Sequence, residues 1–267
     1  MIRNRKVSEN NNRRPPRVAL SKEFKRRMRR VEPLRDDLRP YLEETNLGLF
    51  IRHPFCNSPV LDLDRCFVIH DQIDRRAAKA DACFEAHDYE GYLDCVERSM
   101  QPEWFAKDAE QYTDPQYWRL LRGTYMGQRF THHNRDLFDE LFRAERPGKE
   151  HLMTGEERGV LAELPDVLTV YRGFGDDDYT DGFAWTLHRP AAIWYAHWDR
   201  QADWPRVLVG KVRKQDVWAY LSGGDVLLPP EAVRRPKVKD VSGITQARVA
   251  WDEYVPEFNV NRYIRND

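Results

Sequence analysis

The chain has no long hydrophobic run. No apolar stretch approaches the eighteen or so residues that a membrane-spanning helix needs, so a membrane partner is not expected. The charged N-terminus is not followed by an apolar segment, which argues against a secretory leader. Cysteine is scarce: Cys56, Cys66, Cys83 and Cys95 are the four in 267 residues, all in one short region. That is too few for a disulfide framework, and the expectation is a cytoplasmic protein with reduced thiols. Net charge is also small, at −1, but it hides an asymmetry. Residues 1–30 hold twelve bases and two acids, a balance of +10, and the rest holds 31 bases and 42 acids, a balance of −11. A basic arm on an acidic body can meet nucleic acid, an acidic partner or its own body, or it can serve only solubility. Phe24 is the arm's only aromatic, which leaves little for stacking on bases. What the chain does have is apolar and aromatic content, 41% and 12%, enough for a real core.

Residues 1–20 are expected to be disordered, with Asn10-Asn11-Asn12 and Pro15-Pro16 in their midst. Ser21 is placed to cap a short basic helix that Pro33 stops. Leu63, Cys66, Phe67, His70, Ile73 and Ala77 keep helical spacing. A second helix with Cys83 and Ala86, a bend near His87-Asp88 and Gly91, and a third helix with Tyr92, Leu93 and Val96 would follow as a hairpin. Leu121 and Phe138, with their neighbours, continue in the same style. Thr154 with Glu157 three residues on is a capping box. After Pro165 the apolar runs become short and β-branched: 167–171, 183–187, 207–212, 217–221 and 226–228, interrupted by one helix from Pro190 to about Trp198. The expected organisation is α+β: a basic arm over 1–30, a helical domain over 31–164, and a strand-rich domain over 165–267.

Cys66/His70 and Cys83/His87 have the i, i+4 spacing of a metal pair, and His53, Cys56 and Cys95 lie close by in sequence. Cys66 and His70 also sit on the apolar stripe of their helix, where a thiol is an ordinary small hydrophobe, so no metal is expected. His132-His133 in a polar turn reads as surface.

Three short segments carry more. Leu168-Thr-Val-Tyr-Arg-Gly173 ends in a cation with a planar donor fork, Gly182-Phe-Ala-Trp-Thr-Leu187 carries a hydroxyl, and Gly223-Gly-Asp-Val-Leu-Leu228 carries a carboxylate. In this order on successive strands they resemble the ADP-ribosyltransferases of the arginine–serine–glutamate class. The resemblance covers residues 167 to about 235. It implies a split, mostly antiparallel β-sandwich that binds NAD as a substrate in a central cleft. Such an enzyme transfers ADP-ribose to a protein or nucleic-acid acceptor and releases nicotinamide; no metal takes part.

By that resemblance Arg172 contacts the phosphates, flanked by Tyr171 and Gly173. Thr186 stands where the family has the last hydroxyl of its Ser-Thr-Ser stretch, beside Trp185, while Ala184 has lost the first hydroxyl. Trp194 or Tyr195, neighbours that point about 100° apart on a helix, would stack on nicotinamide. Asp225 replaces the family's glutamate. It is shorter by roughly 1.3 Å, a displacement of a size that costs on the order of a hundredfold. Gly223 replaces the second acid of arginine-modifying members, which disfavours arginine as acceptor. The resemblance thus implies a mono-ADP-ribosyltransferase-like protein with Arg172, Thr186 and Asp225 as the catalytic set, of the kind used as toxins, effectors or phage factors in a host cytoplasm. A catalytically silent interaction module and an NAD glycohydrolase are its rivals.

Overall fold

The computed structural model describes residues 22–128, 131–175, 180–197 and 204–244, with backbone alone at 24, 25 and 28. The arm over 1–20, its Ser21 cap, the Phe24 side chain, Trp198 and the chain after 244 lie outside the described residues. The fold is mixed helix and antiparallel sheet, in two compact units, 1–79 and 80–267. Among the described residues no helix is long and apolar enough to cross a membrane.

The first unit opens with α1 (Lys22–Met28). A three-stranded antiparallel meander follows: β1 (Leu42–Thr45), β2 (Gly48–His53) and β3 (Cys56–Pro59). The helical domain expected over 31–164 is corrected here, since its first part contains a sheet. β1 and β3 are short and mostly polar, and β2 carries its apolar residues, Leu49, Phe50 and Ile51, in a row, so none shows the apolar alternation that announces a strand. Their turns show them better. Gly48 has φ +112, a backbone that favours glycine, and the Thr45 hydroxyl closes that turn by donating to the Gly48 carbonyl at 2.9 Å. Ile51 and Cys56 point into a core shared with Leu34, Leu38, Val60, Cys66 and Ile73. Thus Cys56 and Cys66 act as small core hydrophobes.

α2 (Phe67–Glu85) is a single helix of 19 residues where the sequence suggests two, and the division between the units falls within it. The turn comes at His87, with φ 56, and Asp88 accepts from the Gly91 amide at 3.0 Å, so Gly91 belongs to the next helix rather than to the bend.

The second unit continues with α3 (Tyr89–Asp94), α4 (Gln101–Lys107), α5 (Asp114–Gly127), α6 (Arg135–Phe142) and α7 (Gly155–Glu163). The capping box of α7 forms in both directions: Glu157 N–H donates to the Thr154 hydroxyl at 3.2 Å, and Thr154 N–H to Glu157 Oε2 at 2.7 Å. Residue 165 is where this unit turns from helix to strand. β4 (Val167–Phe174), β5 (Ala184–Thr186), α8 (Arg189–Ala196), β6 (Arg206–Arg213), β7 (Ala219–Leu221), β8 (Asp225–Leu227) and β9 (Lys237–Asp240) follow. They form one antiparallel sheet in the order β7-β8-β5-β4-β6-β9.

Leu168, Val170, Trp185, Leu208 and Val226 make the core on one face of this sheet. α8 covers the other face through Ala192, Ile193 and Ala196. A chain of rings joins the helices to the strands: Phe142 lies 5.6 Å from Phe183 and stacks on Trp218 at 5.4 Å, and Tyr125 meets Phe183 at 6.3 Å. Helical and strand-rich halves therefore share one core.

Candidate functional site

β4 and β5 pair at one position, Tyr171↔Thr186. On the other side of β5, Thr186 pairs with Asp225. Directly opposed residues of adjacent strands share a face, so Tyr171, Thr186 and Asp225 stand in a row across three strands. α8 caps that face at a close approach. A Cβ on Gly173 would run into the Ala192 carbonyl and the Ala196 amide, so glycine at this position serves the helix–strand contact. Trp185, expected at the cofactor, is 4% exposed and lies in the core on the opposite face, because strand alternation turns it away from Thr186.

Arg172 also leaves β4 from the face opposite Tyr171. Its guanidinium turns into the opening beyond the single β4–β5 pair and donates to the Ala184 carbonyl at 2.5 Å. Gly182 leaves room there for this guanidinium, which a Cβ at 182 would displace. Thr131, His132, Arg135 and Asp181 line the small hollow beside it, which has room for about one water.

Burial and neighbours tie the row to the arginine. Asp225 is partly buried, and desolvation raises its pKa from the ordinary carboxylate value to about 6, against the lowering effect of a hydrogen bond with the Thr186 hydroxyl. Thr186, 2% exposed, also accepts from the His188 amide at 3.2 Å. Tyr125 of α5 is a side chain that the sequence did not single out. Burial raises its pKa most; the Arg172 cation lowers it and the Asp225 carboxylate raises it, so its phenol lies within electrostatic reach of both. Burial also lifts Tyr195, with Asp225 next in effect. Tyr195 thus lies within electrostatic reach of the acid; it is 39% exposed, and its ring is set edge-on to that of Trp194 at 5.4 Å.

Two further groups shape the loop before Asp225. Gly223 and Gly224 have φ of +94 and +87, so an acid at 223 would be strained. A Cβ on Gly224 would collide with the His188 imidazole, which packs directly on this loop. Glu157, 2% exposed, accepts from the Ser222 amide and hydroxyl, both at 2.9 Å, and from Arg122 at 2.7 Å. The capping box was legible in sequence; this second task of the same glutamate was not.

Among the described residues no group of three or more His, Cys, Asp or Glu is arranged to hold a metal. His70 is buried and spends its ring nitrogens on Glu32 Oε1, at 2.8 Å, and on the Arg35 amide, at 3.3 Å. No protein-family model, no curated protein sequence and no solved structure matches the chain.

Proposed function

We propose that this chain is a mono-ADP-ribosyltransferase-like enzyme that cleaves the nicotinamide–ribose bond of NAD and passes ADP-ribose to a macromolecular acceptor. The observation that carries the reading is the row Tyr171–Thr186–Asp225, beside an opening between strands that holds the Arg172 guanidinium. In this reading the antiparallel sheet is of the split transferase type. Cleavage develops positive charge at the anomeric carbon, and a carboxylate held nearby with little water stabilises that charge strongly. Asp225 supplies it, with Thr186 fixing its orientation. Arg172 exchanges the Ala184 carbonyl for phosphate oxygens, which are better acceptors for a guanidinium. Tyr195 offers a phenol face to the cationic nicotinamide ring. The positive φ of Gly223, which disfavours an acid at that position, supports an acceptor other than arginine.

The test is incubation of the protein with NAD and lysate, reading nicotinamide by chromatography and ADP-ribose adducts by mass spectrometry. Release with an adduct on protein or nucleic acid is expected, and Asp225→Asn should lower it by on the order of a hundredfold or more. Asp225→Glu should raise the rate if the reach of the shorter acid limits it. Release with no adduct assigns the site to NAD hydrolysis. Absence of both, with Asp225→Asn indistinguishable from the parent, leaves a silent module and ends the proposal.

A further inference from the structure

The first unit carries a trough that the function above does not use. It is open along one side, with a volume of about 1010 Å³, and lies where α1 meets the start of α2. Six cations, two carboxylates and Phe67 line it. Lys22 and Arg26, four apart, share one side of α1, and Arg29 and Arg30 follow in the turn that ends it, where their amides donate to the Arg26 and Arg27 carbonyls, so the cations form a run along α1 and its end. The acids do not balance this run. Asp71 is already shared between Arg27 and Arg75, and Arg30 meets Glu32 at 3.3 Å with 60% of its side chain exposed. Lys22, Arg26 and Arg29 have no ion-pair partner among the described residues and are exposed.

Phe67 adds a second feature. The Arg30 guanidinium lies 4.3 Å from its ring centre and that of Arg27 lies 5.3 Å away. Stacking on an aromatic holds a guanidinium flat and leaves its other side as a plate on which a base can stack. A row of forked cations next to such a plate fits an unpaired polynucleotide, which offers phosphates at regular intervals and free base faces. A duplex hides its base faces, and an acidic peptide has none.

We infer that this trough binds single-stranded nucleic acid, with Arg26, Arg29 and Lys22 on successive phosphates and the Arg30–Phe67 stack beneath a base.

The experiment uses the full chain and fluorescence anisotropy, with labelled oligouridylate, oligothymidylate of the same length, a duplex of that length and polyglutamate. Both single strands should bind, with a log–log salt slope of about −2 to −3 for three or four phosphate contacts. Arg26→Glu/Arg29→Glu/Arg30→Glu should weaken binding at least about tenfold and flatten the slope by about 2. These side chains are exposed, and Arg26→Gln/Arg29→Gln, which keeps their length, should show a smaller loss in the same direction. A companion variant with Arg3, Arg5, Arg13 and Arg14 changed to Glu separates the trough from the basic segment before it and should keep the slope change that the trough mutations remove. Preference for ribose or deoxyribose leaves the inference standing. It is overturned if the trough variants bind like the parent, if all affinity is lost with the changes at 3–14, or if duplex or polyglutamate binds as tightly.

Discussion

Asp225 carries an electrostatic penalty as well as a proposed role. Its pKa rises to about 6 on folding because burial disfavours the charged form. A carboxyl whose folded pKa exceeds its unfolded one binds more protons in the native state, so its contribution weakens the fold as pH climbs from about 4 to about 6. Two pKa units correspond to on the order of 3 kcal/mol, fully felt at pH 7 and absent below pH 4. Asp225→Asn should therefore stabilise the protein at pH 7.5 by about 1–3 kcal/mol while lowering nicotinamide release as predicted above. Urea unfolding at several pH values checks this, and the gain should shrink towards zero as pH falls through 6 to 4. Equal stability of variant and parent at pH 7.5 would show that the carboxylate is well solvated. Lys149 gives a contrasting case. Burial and the nearby Arg143 lower its pKa, yet its ammonium is held 5.0 Å from the Trp118 ring and 5.4 Å from Trp218 and donates to the Phe142 carbonyl at 2.6 Å. That cation ties helix to strand, whereas the role proposed for Asp225 is to meet charge that arrives with a substrate.

Among the elements, the loop from Ser222 to Gly224 sets where Asp225 stands, and Glu157 of α7 holds that loop. Burial raises the Glu157 pKa, but hydrogen bonds from Thr154 and Ser222 and the Arg122 cation outweigh it, so the net shift is downward. A depressed carboxylate contributes stability above its unfolded pKa and loses it as pH falls through the lower, folded one. Glu157→Gln keeps the shape but leaves Arg122 without its charge partner, at a cost of about 1–3 kcal/mol at neutral pH. If Glu157 also positions the acid, kcat should drop with KM for NAD little changed, which a merely weakened fold would not produce. Gly173→Ala probes the opposite wall. Backbone of α8 occupies the space of the new methyl, so thermal unfolding should show a loss of at least about 2 kcal/mol.

How far these elements were legible follows from the range of the interactions that make them. The α7 cap, the strands after Pro165 and α8 rest on neighbours a few residues apart, and sequence shows them. The Ser222–Glu157 tie joins residues 65 apart, and Tyr125 reaches the site from a helix whose pattern says only that it is buried. Likewise β9, Lys-Val-Lys-Asp, is a charged, exposed edge strand, built to discourage pairing with other chains and so without the apolar signal of a strand. The sequence suggests two helices where α2 is one, because Arg75-Arg-Ala-Ala-Lys-Ala80 has high helix propensity but few large apolar side chains to mark a stripe. For the site, residue types and their order were readable. That Arg172 leaves its strand on the face away from Asp225 needed the register.

At the scale of the whole molecule, the change from helices to strands near residue 165 invites a domain boundary, and the ring packing argues against one. Phe142 is fully buried and touches Tyr125 and Phe138 on the helical side and Phe183 and Trp218 on the strand side. Arg143 adds a forked ion pair to Glu231, at 2.9 and 2.8 Å, across the same divide. A chain beginning at residue 165 would expose Phe183 and Trp218 together, an apolar patch of the kind that drives association. It should therefore aggregate or remain without a cooperative unfolding transition. In the full chain, Phe142→Ala removes a ring from the middle of this contact and should cost about 3–5 kcal/mol. Pulsed hydrogen exchange across a denaturant series, read on peptides by mass spectrometry, reports residues 80–164 and the strand side separately. In the variant both signals should shift to lower denaturant by the same amount, because one core serves both. Loss of the helical signal ahead of the strand-side signal, or a folded 165–267 fragment, would show two independently stable parts and restore the boundary that composition suggests.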